Sequence, residues 1–276
     1  MSPLPAEVQL EALLSRARGA MSRRQHDETR VYLARGLALA RQEGRTDAEA
    51  RFLYDLGVHA QQQDHTAEAE RCFLAALALF PGGAAPHLEC SCLNSLAVAY
   101  QDQGRFAEAE AALQRALARS REVRALPWEA LGLEALGVLY HDLGRFAEAE
   151  RCYRQALAHY QQLGNWRFTG ETSVNLGILA QDLGRREEAE RLYRQARDLL
   201  RDGDRWMFGH AAMNAALLDY ERGELAAAEE GLERAAAQFR ELSSPRFLAL
   251  ALLYQTALSA RREDLPGAEA ALRDAA

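Results

Sequence analysis

Between Leu143 and Leu157 the chain reads "LGRFAEAERCYRQAL". The stretch Gln103–Leu117 reads "QGRFAEAEAALQRAL", and Leu183–Arg197 reads "LGRREEAERLYRQAR". One phrase thus recurs three times at an interval of 40 residues. Catalytic sites do not need repetition; stacked units do, and self-similarity at a fixed period is their signature. Taking Gly104, Gly144 and Gly184 as a mark, the equivalent positions are Arg24, Asp64, Gly223 and Glu263, at intervals of 40, 40, 40, 40, 39 and 40. Seven marks imply about six and a half repeats.

Before each mark the pattern is helical. "CLNSLAVAYQDQG", "GLEALGVLYHDLG" and "SVNLGILAQDLG" place apolar residues three and four apart, the spacing of one helix face. Glycine then ends the helix, because a residue without Cβ adopts the left-handed conformation cheaply. A second amphipathic run follows, as in "FAEAERCYRQALAHY", with acids in the first turns where the helix dipole favours them. Glu150–Arg154, Glu190–Arg194 and Glu230–Arg234 are each four apart and read as a solvated outer face, worth tenths of a kcal/mol per pair. Breakers at 80–87, 124–128, 163–166, 201–204 and 243–245 predict looser connections between units. The unit is therefore helix, tight turn, helix, looser connection. Repeats are predicted at 7–43, 46–80, 87–122, 127–163, 167–201 and 205–241, with a partial one at 245–276, all in one domain spanning 1–276.

Composition agrees. The apolar fraction of 49% is rich in Ala and Leu, and only 8% of residues are aromatic. Ala, Leu, Glu, Arg and Gln are good helix formers, and long β-branched runs are missing, so the chain reads as all-α. All 33 basic residues are Arg, with one Ile and four Asn; this suggests a GC-rich coding sequence rather than phosphate-binding chemistry. The net charge is −7, and the first 45 residues, with eight Arg against five acids, carry +3, leaving −10 for the rest. An acidic body argues against nucleic acid or an anionic membrane as partner. The longest strongly apolar run, Cys72–Phe80, is far short of a membrane span. "MSPLPAEVQLEALL" lacks the basic-then-apolar order of a signal peptide. Four cysteines, Cys72, Cys90, Cys92 and Cys152, are too few for a disulfide framework at this length, so a reducing, cytoplasmic setting is expected.

At this point a family resemblance is carried by four columns. Seven before the mark stand Gly57, Ala97, Gly137, Gly177 and Ala216; five after it, Ala69, Ala109, Ala149, Ala189 and Ala228. Nine after it stand Phe73, Leu113, Tyr153, Tyr193 and Leu232; twelve after it, Ala76, Ala116, Ala156, Ala196 and Ala235. Small residues let two helices approach, and larger ones fill the space between pairs. The pattern resembles tetratricopeptide repeats of the long-helix variety, and "NSLAVAYQDQGRFAEAEAALQRAL" looks like the repeats of kinesin light chains and of bacterial regulators built on the same unit. The resemblance implies a right-handed α-solenoid of six to seven helix-turn-helix hairpins. It also implies a non-catalytic adaptor that holds a peptide or protein segment in a concave groove lined by the first helices.

Candidate groove residues follow by register. Nine before the mark stand Asp55, Ser95, Ala135, Asn175 and Asn214. Asn offers donor and acceptor together, and in the related long-repeat proteins asparagines here form a ladder along the bound peptide. Asn175 and Asn214 match it, Asn94 is displaced by one, and Ala135 interrupts it. The alternative for each Asn is a local bond to the helix backbone. Tyr54, Asn94 and Glu134 stand ten before the mark; Gln101, His141, Gln181 and Tyr220 three before; Asp102, Asp142, Asp182 and Glu221 two before. The acids predict preference for a partner carrying Arg or Lys; the bland alternative is a solvated last turn.

No GxxxxGK[ST], HExxH, GxSxG or CxxC occurs, so no catalytic residues, metal ligands or cofactors are expected. The cysteines read as small packing residues, and Trp128, Trp166 and Trp206 as core against the preceding pair. A second reading is the sensing module of a larger bacterial signalling protein. The ending "DLPGAEAALRDAA" starts a helix and shows no polar cap. That suggests either a longer parent protein or docking of the end, for example in a homodimer.

Overall fold

A residue in the left-handed conformation closes nearly every helix. The computed structural model describes residues 4–80, 85–201 and 203–261. Its helices are α1 (Ala6–Ser22), α2 (His26–Gln42), α3 (Thr46–Gln61), α4 (Thr66–Ala78), α5 (Pro86–Asp102), α6 (Phe106–Glu122) and α7 (Leu126–Asp142). They continue with α8 (Phe146–Gln162), α9 (Trp166–Asp182), α10 (Arg186–Leu200), α11 (Arg205–Arg222), α12 (Leu225–Glu241) and α13 (Pro245–Arg261). Among the described residues there is no strand; the chain is an all-α repeat solenoid of helical hairpins. The seventh mark, Glu263, and the short piece expected from 266 lie outside the described residues.

The turns correct one expectation. At the mark, Gly104 has φ 72°, Gly144 70° and Gly184 72°. The Arg105 N–H donates to the Tyr100 carbonyl at 2.8 Å and the Gly104 N–H to Gln101 at 2.9 Å, the paired bonds of a Schellman cap. The connections between hairpins at 44, 124, 164 and 243, expected to be looser, have the same geometry; those at 80–87 and 201–204 fall partly outside the described residues. Gly44 and Gly164 have φ 64°, Arg124 53° and Ser243 50°, and the Ala125 N–H donates to Ser120 at 2.8 Å. Arg24 and Asp64, the marks without glycine, hold φ 56° and 58°. The backbone therefore repeats about every 20 residues, half the interval at which the side chains repeat. Around Gly144 an added Cβ would meet nothing within 4 Å, so Gly144→Ala isolates the conformational cost. It is expected to destabilise by about 1–2 kcal/mol, and Arg124→Gly to stabilise by up to about 1 kcal/mol, both read from urea denaturation midpoints.

Contacts divide the chain into two units, Met1–Leu139 and Tyr140–Ala276. In the first, α1 to α5 each pack on the next helix and α5 on α6, and the first helices also touch one another, α1 with α3 and α3 with α5. In the second, α8 to α12 each pack on the next, and α9 meets α11, as α11 meets α13. Among the described residues no such backbone approach joins α2 to α4, α4 to α6, α8 to α10 or α10 to α12. Within each unit the first helices thus form the closer-set wall.

The packing is built on size complementarity. The alanines five and twelve after the mark are almost wholly buried, from Ala69 and Ala76 to Ala228 and Ala235. Across each hairpin, glycine faces an aromatic ring: a Cβ on Gly57 would stand 2.5 Å from Phe73 Cε1, and one on Gly177 2.6 Å from Tyr193 Cε1. Where the first helix carries alanine, the partner is leucine: Ala17 with Leu33, Ala97 with Leu113, Ala216 with Leu232. The fourth repeat keeps the rule in sequence, with Gly137 and Tyr153.

The repeated "GR…E" carries a second device. Arg105, just after the mark, bonds Glu70 of the preceding repeat at 2.8 Å, and its guanidinium lies 4.2 Å from the Tyr100 ring. In the second unit Arg185 bonds Glu150 at 2.8 Å, Arg154 bonds Glu188 at 2.9 Å and Arg222 bonds Glu190 at 2.9 Å. Of the glutamates read as a merely solvated face, Glu150 and Glu190 therefore join consecutive repeats as well.

Candidate functional site: inner faces of the first helices

In the first unit the predicted groove residues differ in availability. Asp55 is buried and engaged: Arg18 of α1 donates from Nε to its Oδ2 at 2.9 Å and from Nη2 to its Oδ1 at 3.4 Å. It joins α1 to α3 rather than facing solvent. Tyr54 packs beside Phe73 with ring centroids 5.9 Å apart, and burial pushes its phenol up. Asn94 is different. Its Nδ2 and Oδ1 are both shielded, and neither meets a protein partner; Gln61 Nε2 is in the same position. Glu134 is buried, Gln101 half-buried, and Asp102 exposed.

The second unit ties its last turns together. His141 Nε2 lies 2.7 Å from Asp182 Oδ2. Gln181 Nε2 donates to Glu221 Oε1 at 2.6 Å while its Oε1 accepts from the Tyr193 hydroxyl at 3.0 Å. Arg261 donates to the Tyr220 carbonyl at 2.8 Å and covers its ring at 4.8 Å. Apart from that of the Tyr193 hydroxyl, each bond runs from three before one mark to two before the next, so these polar groups serve one another across repeats. Asn214 is buried and donates to the His210 carbonyl at 3.0 Å, the local bond that was its alternative reading. Asn175 is half-buried and Asp142 exposed.

Sequence reasoning missed two features. Six before the mark stands an aliphatic residue in five consecutive repeats, Val58, Val98 and Val138 in the first unit and Ile178 and Leu217 in the second, while the first repeat has Arg18. Val98 is 45% and Val138 36% exposed, and the same 40-residue spacing would have revealed them. The second is a pair of desolvated groups thirteen before the mark, Glu171 and His210. Burial pushes the Glu171 carboxyl up and lowers His210 to about 4. His210 sits 5.6 Å from the Trp206 ring and 5.2 Å from Phe247, with Nδ1 unpartnered.

Trp206 and Trp166 depart from the expected backward packing, whereas Trp128 keeps it. Trp206 meets Phe247 of α13 edge-on at 4.7 Å. Trp166 is half exposed and closes on Gly203, where a Cβ would stand 2.1 Å from its ring; Trp128 stacks on His87 at 5.9 Å. Cys90, Cys92 and Cys152 are buried and Cys72 partly so, all as free thiols. Burial pushes Cys90 to about 11 and Cys92 to about 12, which suits packing rather than reactivity. Among the described residues no group of three His, Cys, Asp or Glu stands where it could hold a metal ion, and no helix is long and apolar enough to cross a membrane.

Antiparallel hairpins in register, small residues at the crossing and a close-set inner wall define the class of α-helical repeat solenoids. More particularly, residues 88–202 carry tetratricopeptide repeats. The sequence model described as Tetratricopeptide repeat matches 88–162 and again 128–202. No curated protein sequence matches the chain. Solved structures are similar in fold. The apo form of RapI shares 12% identity at TM-score 0.78 over 96% of either chain. The apo quorum sensor NprR from B. thuringiensis shares 18% at 0.78, over 98% of this chain and 76% of its own. A Rap protein complexed with Competence and Sporulation Factor shares 16% at 0.71, again over 98% and 76%.

Proposed function

We propose that this chain is a non-catalytic binding scaffold whose inner first-helix faces hold a peptide or protein segment. The observation that carries the reading is Asn94, an amide whose donor and acceptor are both shielded and without a protein partner. Such a group costs roughly 1–3 kcal/mol while unsatisfied, and a turn of the side chain toward the wall would let a peptide group supply the complementary acceptor and donor. It lies on the wall that also exposes Val98 and Asp102. The chemistry suits a segment with aliphatic side chains and at least one Arg or Lys, and it gives no support to nucleic acid or membrane as ligand. A cytoplasmic, bacterial setting accords with this reading.

A second reading is a peptide-sensing module of a larger regulator. The likeness to a quorum sensor and to a Rap protein complexed with a factor favours it, and it uses the same wall.

The test is capture of partners from the source cell by the whole chain, followed by affinity measurement with the segment identified. Asn94→Ala is expected to weaken binding about tenfold or more, and charge reversal at Asp102 and Asp142 to weaken segments carrying Arg or Lys selectively. Undiminished affinity in both variants would refute the reading.

A further inference from the structure

The hairpin of α11 and α12 departs from the others on the opposite face of α11. Eight before the mark the four preceding repeats carry Leu56, Leu96, Leu136 and Leu176; this one has Ala215. Eleven before it, Leu53, Leu93, Leu133 and Ser173 give way to Ala212; eight after it, where Cys72, Ala112, Cys152 and Leu192 stand in the preceding repeats, is Gly231, which closes against Ala216. The missing side chains leave an open hollow of about 150 Å³, walled by Phe208, Ala212, Ala215, Ala227 and Gly231. A cavity near that volume accepts a benzene-sized group.

Two charges have entered the same seam at positions that are otherwise apolar. Thirteen after the mark, Leu77, Leu117 and Leu157 are followed by Arg197; four before it, Ala60, Tyr100, Tyr140 and Ala180 are followed by Asp219. Both line the hollow. Arg197 Nε is shielded and unpartnered, and among the described residues no hydrogen bond or ion pair engages the Asp219 carboxyl. Burial pushes that carboxyl up, with Glu224 and Glu190 adding to the effect and Arg222 and Arg197 opposing it. The remaining rim charges, Arg234 and Glu230, already pair loosely at 3.5 Å.

We propose that this hollow binds a small zwitterion of the free α-amino acid class. An aliphatic or phenyl side chain fills the space left by the absent leucines, the carboxylate meets Arg197, and the ammonium meets Asp219. This site is independent of the peptide-binding wall. Leucine and phenylalanine have side chains of the right size; glycine and aspartate leave the hollow empty or bury a charge in it.

Isothermal titration of the whole chain with L-phenylalanine and L-leucine tests the proposal. Saturable binding is expected for both. L-Phenylalanine amide and N-acetyl-L-phenylalanine, each lacking one charge, should bind at least about tenfold more weakly. Ala215→Leu restores the side chain native to four other repeats, and should abolish binding without lowering the melting temperature. Arg197→Leu, native to three others, provides a second folded variant with the same expected loss. No saturable signal from either amino acid, or a signal that survives Ala215→Leu or Arg197→Leu, overturns the assignment.

Discussion

Acidification from pH 7 to pH 4 is expected to cost the folded chain about 3 kcal/mol through His210 alone. Its folded value is about 4, against roughly 6.5 in an unfolded chain. Between those values the unfolded state binds more protons, so the stabilisation is complete above about pH 6.5 and is lost as pH falls toward 4. The cause is structural. The imidazole lies between Trp206 and Phe247, Nδ1 has no partner among the described residues, and burial alone sets its value. His210→Phe keeps an aromatic ring in that cluster. Urea unfolding of both proteins at pH 7, 5 and 4 should give similar stabilities at pH 7. The variant should lead by about 2 kcal/mol at pH 5 and about 3 kcal/mol at pH 4. Parallel pH curves for the two proteins would show that the ring is not desolvated as described.

Tyr193→Ala should cost more still, about 3–5 kcal/mol, because the ring is fully buried against Gly177. The sharper test is the size rule between the two positions. Tyr193→Leu leaves a gap over Gly177. Gly177→Ala alone drives a Cβ to within 2.6 Å of the ring, an overpacking cost of about 1–3 kcal/mol offset by about 1 kcal/mol of helix propensity. Combined, they recreate the Ala–Leu pair found at Ala17 with Leu33, Ala97 with Leu113 and Ala216 with Leu232. The double variant should therefore be more stable than the sum of the singles by at least about 1 kcal/mol. Simple additivity would mean that the pairing of sizes across these hairpins carries no energy.

Much of the fold could be read from the sequence. The columns of Ala, Gly and aromatic residues gave both the register and the helix ends, since short-range periodicity and a Cβ-free turn are local properties. The turns at Arg124 and Ser243 were less visible, because a left-handed residue that is not glycine leaves no compositional trace. The candidate wall was legible only in part. Register placed Asp55, His141 and Asp182 on it. Their bonds to Arg18 and to each other join residues 37 and 41 apart, and nothing local announces such partners. Asn214 shows the reverse case: its bond to His210 is local, and the four-residue spacing allowed it from the start. The hollow beside Ala215 was written plainly in the columns, but only as a departure. It acquires meaning once the space a leucine would occupy is known.

The twenty-residue spacing of the left-handed joints limits how such a chain can change length. Adding one helix with its joint would leave the backbone in phase but exchange inner for outer residues in everything downstream, burying arginines and exposing leucines. Adding two restores both. Growth or loss by whole hairpins is the step this architecture can inherit without repair, and half-steps are barred by side chains rather than by the path of the main chain.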